Sequence, residues 1–256
     1  PTAITWLIFW CTLLGAVLIQ IATNFINDAI DFEKGADTGE RLGPIRVAQA
    51  GLLSPGAVMT AAWICLALAA LCGIPLIYRG GWPMLAIGLA SIVAAYAYTG
   101  GPYPLAYHGL GELFVIVFFG IVAVGGTFYV QSLQMTQNAL VAGFAVGSLA
   151  TVLIVINNLR DAESDRRIRK MTLAARFGER FARLEVVLFA LVPFAVIPTI
   201  TWLPLLALPL ALVVIARTWR AGGAALNRSL GMAGALQWAF GILFILSCSS
   251  GIGLTR

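Results

Sequence analysis

Residues 139–170 read ALVAGFAVGSLATVLIVINNLRDAESDRRIRK. About twenty apolar residues, enough to cross the hydrocarbon of a bilayer as a helix, run without a charge into Asn157-Asn158-x-Arg160-Asp161-x-x-x-Asp165. The fold is decided at that junction. In lipid the backbone of such a run must satisfy its own hydrogen bonds, which a helix does, and the polar cluster must lie where the helix leaves the membrane. Asp161 and Asp165 stand four apart, within roughly 40° of each other around a helix of about 3.6 residues per turn, so they make one oxygen-rich stripe.

The pattern has an echo. The apolar run over 4–26 ends in Asn24-x-x-Asn27-Asp28-x-x-Asp31, where Asn27 and Asp31 form a second stripe. Two such stripes facing one another can hold a hard divalent cation. Mg²⁺ takes oxygen ligands and completes its shell with water and substrate phosphate oxygens, so carboxylates with amides suggest a diphosphate site rather than a closed ion cage. Either cluster alone reads equally well as a solvated helix end, and it is the pair that favours function.

Composition sets the class. Of 256 residues, 60% are hydrophobic and 11% charged, with a mean hydropathy of +0.93. An aqueous fold does not need this much apolar content, so the chain is expected to be an all-α polytopic transmembrane bundle, one domain over 1–256. Eight apolar spans are expected, at 4–26, 56–78, 82–99, 112–131, 139–158, 184–201, 202–219 and 231–254, with a soft boundary between the sixth and seventh. The connections after odd-numbered spans carry Lys34, Arg41 and Arg46, then Arg160 to Arg183, then Arg217, Arg220 and Arg228, whereas the other side holds only Arg79 and Arg256. By the positive-inside rule the odd connections, and both acidic clusters with them, face the cytoplasm. The net charge of +5 is thus a topology signal, and nucleic acid is excluded as a partner. Pro1 runs almost directly into an apolar stretch with no charged leader, so no signal peptide is expected. Cys11, Cys65, Cys72 and Cys248 are scattered through apolar spans and read as packing residues, as do most glycines.

Each acidic cluster is followed by a polar loop, and such repeats place a site between two halves of a bundle. The first loop holds Lys34-Gly35-Ala36-Asp37 and Arg41-Leu42-Gly43-Pro44-Ile45-Arg46, a turn able to aim basic groups inward. The second holds Arg169-Lys170-Met171, then Thr172 to Phe177 as a short amphipathic helix. Cations beside a metal site neutralise a leaving diphosphate. Headgroup contacts account for Arg180, Arg183, Arg217, Arg220 and Arg228, but less well for Lys170 and Arg160, which interleave with the carboxylates. A third segment, Tyr98 to Glu112, is nearly free of charge and suits an aromatic pocket. Within it Tyr107 reads better as an interfacial belt residue, and His108 equally as a structural residue or a substrate contact.

At these residues the chain resembles the UbiA superfamily of intramembrane aromatic prenyltransferases. The matching stretches are Asn24 to Asp37, Arg41 to Arg46, Gly51 to Pro55, Tyr98 to Glu112 and Asn157 to Gly178. The Tyr98 to Glu112 loop is most similar to the branch that prenylates 1,4-dihydroxy-2-naphthoate in the menaquinone pathway. The family has nine helices, of which the first is missing here, so a further helix is expected before Pro1. The resemblance implies a UbiA-like bundle in a bacterial cytoplasmic (inner) membrane, with Mg²⁺ and a polyprenyl diphosphate between the two motifs. It implies Asn27, Asp28, Asp31, Asp161 and Asp165 as metal ligands, and the four aspartates as catalytic. Asn24, Lys34, Arg41, Arg46, Asn158, Arg160 and Lys170 are the diphosphate set, while Tyr98, Tyr103 and His108 would meet the aromatic acceptor. The implied reaction transfers the prenyl group to dihydroxynaphthoate with loss of CO₂ and diphosphate, giving demethylmenaquinol. Two positions depart from the family: Arg169 replaces the usual glycine before Lys170, and Met171 replaces a second basic residue. The Tyr-x-x-x-Lys element of some members is absent, because Pro102 stands four residues after Tyr98. Two alternatives stay open: another aromatic acceptor (homogentisate, 4-hydroxybenzoate, a chlorophyllide or haem), or an ion-coupled transporter whose motifs bind the coupling ion.

Overall fold

Ser54 and Thr136 mark where two of the apolar runs become helices. Each side-chain oxygen accepts from the backbone N–H three residues on, Ala57 at 3.3 Å and Ala139 at 3.2 Å, satisfying a donor that the first helical turn leaves free. Pro55 follows Ser54 at a position where its missing N–H costs nothing. The computed structural model describes residues 4–35, 42–252 and 254. Its long helices are α1 (Trp6–Glu33), α2 (Pro55–Gly80), α3 (Trp82–Ala97), α4 (Gly111–Ser132) and α5 (Gln137–Arg167). After the short α6 (Leu173–Phe177) come α7 (Glu179–Thr199), α8 (Leu203–Arg220) and α9 (Gly223–Ser250).

Seven of these helices are long and apolar enough to cross a membrane, and the chain is an integral membrane protein. The third expected span, α3, is a helix of only 16 residues, about 24 Å long. It is bounded by Gly81, at φ +68°, and by the turn after Ala97. Two helices outrun their apolar stretches: α1 continues to Glu33 and α5 to Arg167, so both acidic motifs sit on helix rather than in loops. The soft boundary between the sixth and seventh spans is a turn at Thr201-Trp202, where the Thr201 and Ser247 hydroxyls bond to each other.

The bundle has two packed halves. Ala22 and Ile26 of α1 bury against Ala62 and Leu66 of α2 and Ala95 of α3. The larger core packs α5 against α7, α8 and α9 through Leu149, Val152, Ile156, Val186, Val214, Leu236 and Phe240. Helix α5 is central, with 67% of its apolar window buried, against 11% for α1. Helix α4 joins the halves, and the geometry there is unusual. Ile116–Gly125 is wound as a π-helix, and its Gly120 lies directly on the Gly143-x-x-x-Gly147 face of α5. Backbone meets backbone, the close approach that small residues allow in lipid.

Candidate functional site

Asp31 is where the two acidic motifs meet. It is buried at the end of α1, where its Oδ2 accepts from Arg46 Nη1 at 3.0 Å and its Oδ1 from the Tyr107 hydroxyl at 3.1 Å. Lys170 Nζ stands 3.9 Å from Asp31 Oδ2 and 3.8 Å from Oδ1 of the buried Asp165, so one ammonium bridges carboxylates from α1 and α5. The second loop folds back to allow this. Lys170 N–H donates to the Asp165 carbonyl at 2.8 Å, and Arg169 takes the left-handed conformation at φ 58°. A side chain in that conformation costs roughly 1–2 kcal/mol. Met171 N–H then donates to the Tyr107 carbonyl at 3.1 Å, docking this loop on the 3₁₀ turn Leu105–His108. Gly109, at φ +75°, leaves room for the contact, since a β-carbon there would come within 3.0 Å of Leu173 and 3.3 Å of the Met171 carbonyl.

The other first-motif residues anchor the surrounding chain. Asp28 is buried and accepts from Val47 N–H at 3.0 Å and Ala48 N–H at 3.3 Å, tying the first loop to α1. The Asn27 side-chain oxygen accepts from the Thr99 hydroxyl, and its carbonyl accepts from Arg46 Nη1 at 2.9 Å. Lys34 donates to the Thr99 carbonyl at 3.1 Å and sits 4.2 Å above the centre of the Tyr107 ring, with Lys170 at 5.7 Å. Both ammoniums therefore lie on one aromatic platform. Burial, then the neighbouring Asp31 carboxylate, push the Tyr107 phenol far above its usual range, which keeps the hydroxyl a donor to Asp31.

The second motif is arranged differently. Arg160, with a side chain 1% exposed, grips Asp161 by two bonds of 2.7 Å, and donates to Asn157 Oδ1 and Asn227 Oδ1 at 2.7 Å each. The bidentate pair is charge-assisted and planar. Asn158 points elsewhere, donating to Glu112 on α4 at 2.9 Å, with both residues buried. Asn24 is exposed a turn before Asn27, and Arg41 lies outside the described residues.

The sequence expectations are thus divided. Among the described residues, no three His, Cys, Asp or Glu side chains come together as a ready metal cluster. Of the five expected ligands, Asp31, Asp161 and Asp165 line one chamber, with Asp31 and Asp165 meeting at Lys170 and Asp161 held by Arg160, whereas Asp28 is engaged with loop backbone and Asn27 with Thr99. In the expected diphosphate set, Arg46 and Lys170 reach Asp31 and Lys34 lies on the Tyr107 ring, Arg160 lines the chamber while holding Asp161, and Asn158 is turned to Glu112. The expected aromatic trio also separates. Tyr98 lines an apolar cavity. Tyr103 is exposed and stacks on His108, with ring centres 3.5 Å apart, and His108 Nδ1 donates to the Pro104 carbonyl at 2.8 Å. Tyr107, read from sequence as a belt residue, is instead at the centre of the site. Thr99 and Asn227 carried no sequence signal; for Tyr107 the signal was the lack of charge around it.

Two cavities flank this cluster. A polar chamber of 700 Å³ is lined by Asp31, Arg46, Arg160, Asp161, Asp165 and Lys170. An apolar cavity of 430 Å³ between α1, α2, α3 and α4 is lined by Ile19, Leu76, Ile92, Tyr98, Phe114 and Phe118.

A bundle of membrane-length helices with a polar chamber of mixed charge at one rim and an apolar cavity within defines an integral membrane protein with a polar site at the end of its helices. More particularly, the chain belongs to the UbiA prenyltransferase family, whose model matches residues 1–240. It is similar to three proteins named 1,4-dihydroxy-2-naphthoate octaprenyltransferase. The one from Mycobacterium tuberculosis is 42% identical over 71% of this chain and 64% of its own length. That from Haemophilus influenzae is 36% identical over 82% and 73%, and that from Escherichia coli 37% over 71% and 63%. The chain spans about two thirds of the length of these relatives.

Proposed function

We propose that this chain transfers a polyprenyl group from polyprenyl diphosphate to 1,4-dihydroxy-2-naphthoate, with Mg²⁺, at the cytoplasmic face of a bacterial inner membrane. The meeting of Asp31 and Asp165 on Lys170, beside an apolar cavity, is the observation that carries this reading. The names of the relatives support the acceptor. The basic excess on the loops of the acidic rim supports the cytoplasmic orientation.

The donor set suits the metal. Two carboxylates from different helices converge on one cation, and Mg²⁺ is commonly held by one or two carboxylates, with phosphate oxygens and water making up the rest. Asp31 and Asp165 would hold it, and when bound it would neutralise charge on the leaving diphosphate. Lys34, Arg46 and Lys170 bind the diphosphate oxygens, and Tyr107 holds the two lysines in place through its ring and Asp31 through its hydroxyl. The apolar cavity takes the isoprenoid tail and keeps water from the allylic cation. As the allylic C–O bond breaks, diphosphate leaves with the electron pair. The ring carbon bearing the carboxylate forms the new C–C bond. The C–CO₂ bond then breaks, and its electrons restore the aromatic ring, giving demethylmenaquinol without any oxidant or general base.

The test uses the purified protein in lipid with Mg²⁺, polyprenyl diphosphate and naphthoate labelled with ¹³C in the carboxyl group. Labelled CO₂ is expected in step with diphosphate, with a prenylated naphthoquinol as product. A prenylated product that keeps the label rules out this acceptor chemistry, and turnover of another acceptor alone moves the chain to another branch. A smaller effect tests the platform. Tyr107→Phe keeps the ring but removes the bond to Asp31, and about a tenfold loss of rate is expected, the worth of one hydrogen bond to a charged group. Tyr107→Leu also removes the ring beneath both lysines and should raise the KM for the diphosphate as well; equal KM values in the two variants would refute the platform.

A further inference from the structure

We infer that Asn227, at the start of α9, is a positioning residue that latches the first loop to the second acidic motif across the polar chamber. The inference rests on the diphosphate reading of that chamber. Its basis is the two-ended amide of one side chain. Asn227 Oδ1 accepts from Arg160 Nη1 at 2.7 Å, while Asn227 Nδ2 donates to the Leu42 carbonyl at 2.8 Å. One amide thus reaches both the second motif and, 185 residues away in sequence, the loop that carries Arg46.

Each end has a consequence. Arg160 spends Nε and Nη2 on Asp161 and Asn157, and Asn227 supplies the acceptor for the remaining Nη1, bracing the guanidinium from its far side. Because Arg160 holds Asp161 by both oxygens, Asn227 supports through Arg160 the direction in which the Asp161 carboxylate points. At the other end the loop backbone lies on the guanidinium: a β-carbon on Gly43 would come within 2.8 Å of Arg160 Nη2. Holding Leu42 there starts the run toward Arg46, which reaches Asp31, and toward Val47 and Ala48, which bond to Asp28. The turn before Asn227 takes part as well, since Gly222, Gly223 and Leu226 line the chamber together with Leu42. The latch therefore couples the two motifs through a residue that touches neither Asp31 nor Asp165.

Inorganic pyrophosphate binding, titrated with Mg²⁺ on the purified full chain, tests this together with hydrogen exchange of the amides at 42–48. Asn227→Leu removes both bonds. It should raise the half-saturating Mg²⁺ concentration by about tenfold, the scale of a lost hydrogen bond to a charged group, and speed exchange at 42–48. Asn227→Asp keeps an acceptor for Arg160 but loses the donor to Leu42, so it should speed exchange as Asn227→Leu does while raising the Mg²⁺ requirement less than Asn227→Leu. If Asn227→Leu does not fold, Asn227→Ser, which shortens the reach to both partners, is held to the same expectation. An unchanged Mg²⁺ requirement in Asn227→Leu, or equal loss in Asn227→Asp, overturns the latch. Wild-type protein that binds no pyrophosphate overturns the diphosphate reading, and the latch with it.

Discussion

Asp31→Ala and Asp165→Ala are each expected to lower prenyl transfer by at least about a hundredfold, the loss typical of a group that stabilises charge in the transition state. Both variants should still insert and remain helical, because neither side chain packs an apolar core. The structure sharpens what distinguishes them from a third variant. Asp31 and Asp165 meet at the Lys170 ammonium, whereas Asp28 spends its oxygens on the Val47 and Ala48 amides. Asp28→Ala should therefore act through the loop: faster hydrogen exchange at 42–48 and a raised KM for the diphosphate, with a smaller fall in kcat. Initial rates at saturating Mg²⁺ and saturating diphosphate separate the two cases. Near-normal turnover in Asp31→Ala or Asp165→Ala would end the two-motif site, and an Asp28→Ala profile identical to theirs would return Asp28 to the ligand set.

How far the sequence reaches can be seen at these same residues. The spans were legible because lipid leaves an apolar run of this length little but helix to adopt, and seven of the eight expected runs are full-length helices. Their ends were less legible. Helices α1 and α5 continue a further turn or more into polar sequence, where side-chain and loop contacts rather than hydropathy hold them. Periodicity put Asn27 with Asp31, and Asp161 with Asp165, on common stripes, but it could not say which oxygens were already engaged. Arg160 illustrates the limit: its neighbours in sequence suggested a diphosphate contact, and its partner Asn227 comes from a helix 67 residues away. Tyr107 was missed for a related reason. An aromatic residue near an interface has a ready explanation in the belt, and only the docking of residues 170–171 onto its turn brings it beneath the lysines.

A large expected loss of stability lies away from the chemistry, at Gly147. A β-carbon there would stand 2.7 Å from the Ile116 carbonyl oxygen and 3.0 Å from the Gly120 Cα. Both are backbone atoms of the π-helical part of α4, which cannot turn aside as a flexible side chain would. Overpacking of a rigid contact costs about 1–3 kcal/mol, occasionally more, and a bulkier side chain has to push two helices apart along the line where they touch. Gly147→Leu is expected to lower the thermal midpoint by several degrees, up to about 12 °C, or to prevent folding, since about 1 kcal/mol shifts a chain of this size by roughly 2–4 °C. Gly147→Ala should fall between it and wild type. Gly234→Ala serves as the comparison, because nothing lies within 4 Å of its β-carbon position, and the gain in helix propensity should leave the midpoint unchanged or slightly higher. Activity should fall with stability in the Gly147 series, because α5 carries Asp165 on the same rigid helix that Gly147 seats against α4. A Gly147→Leu protein that melts with wild type would show that α4 and α5 do not touch through their backbones, and the seating of the second motif would need another cause.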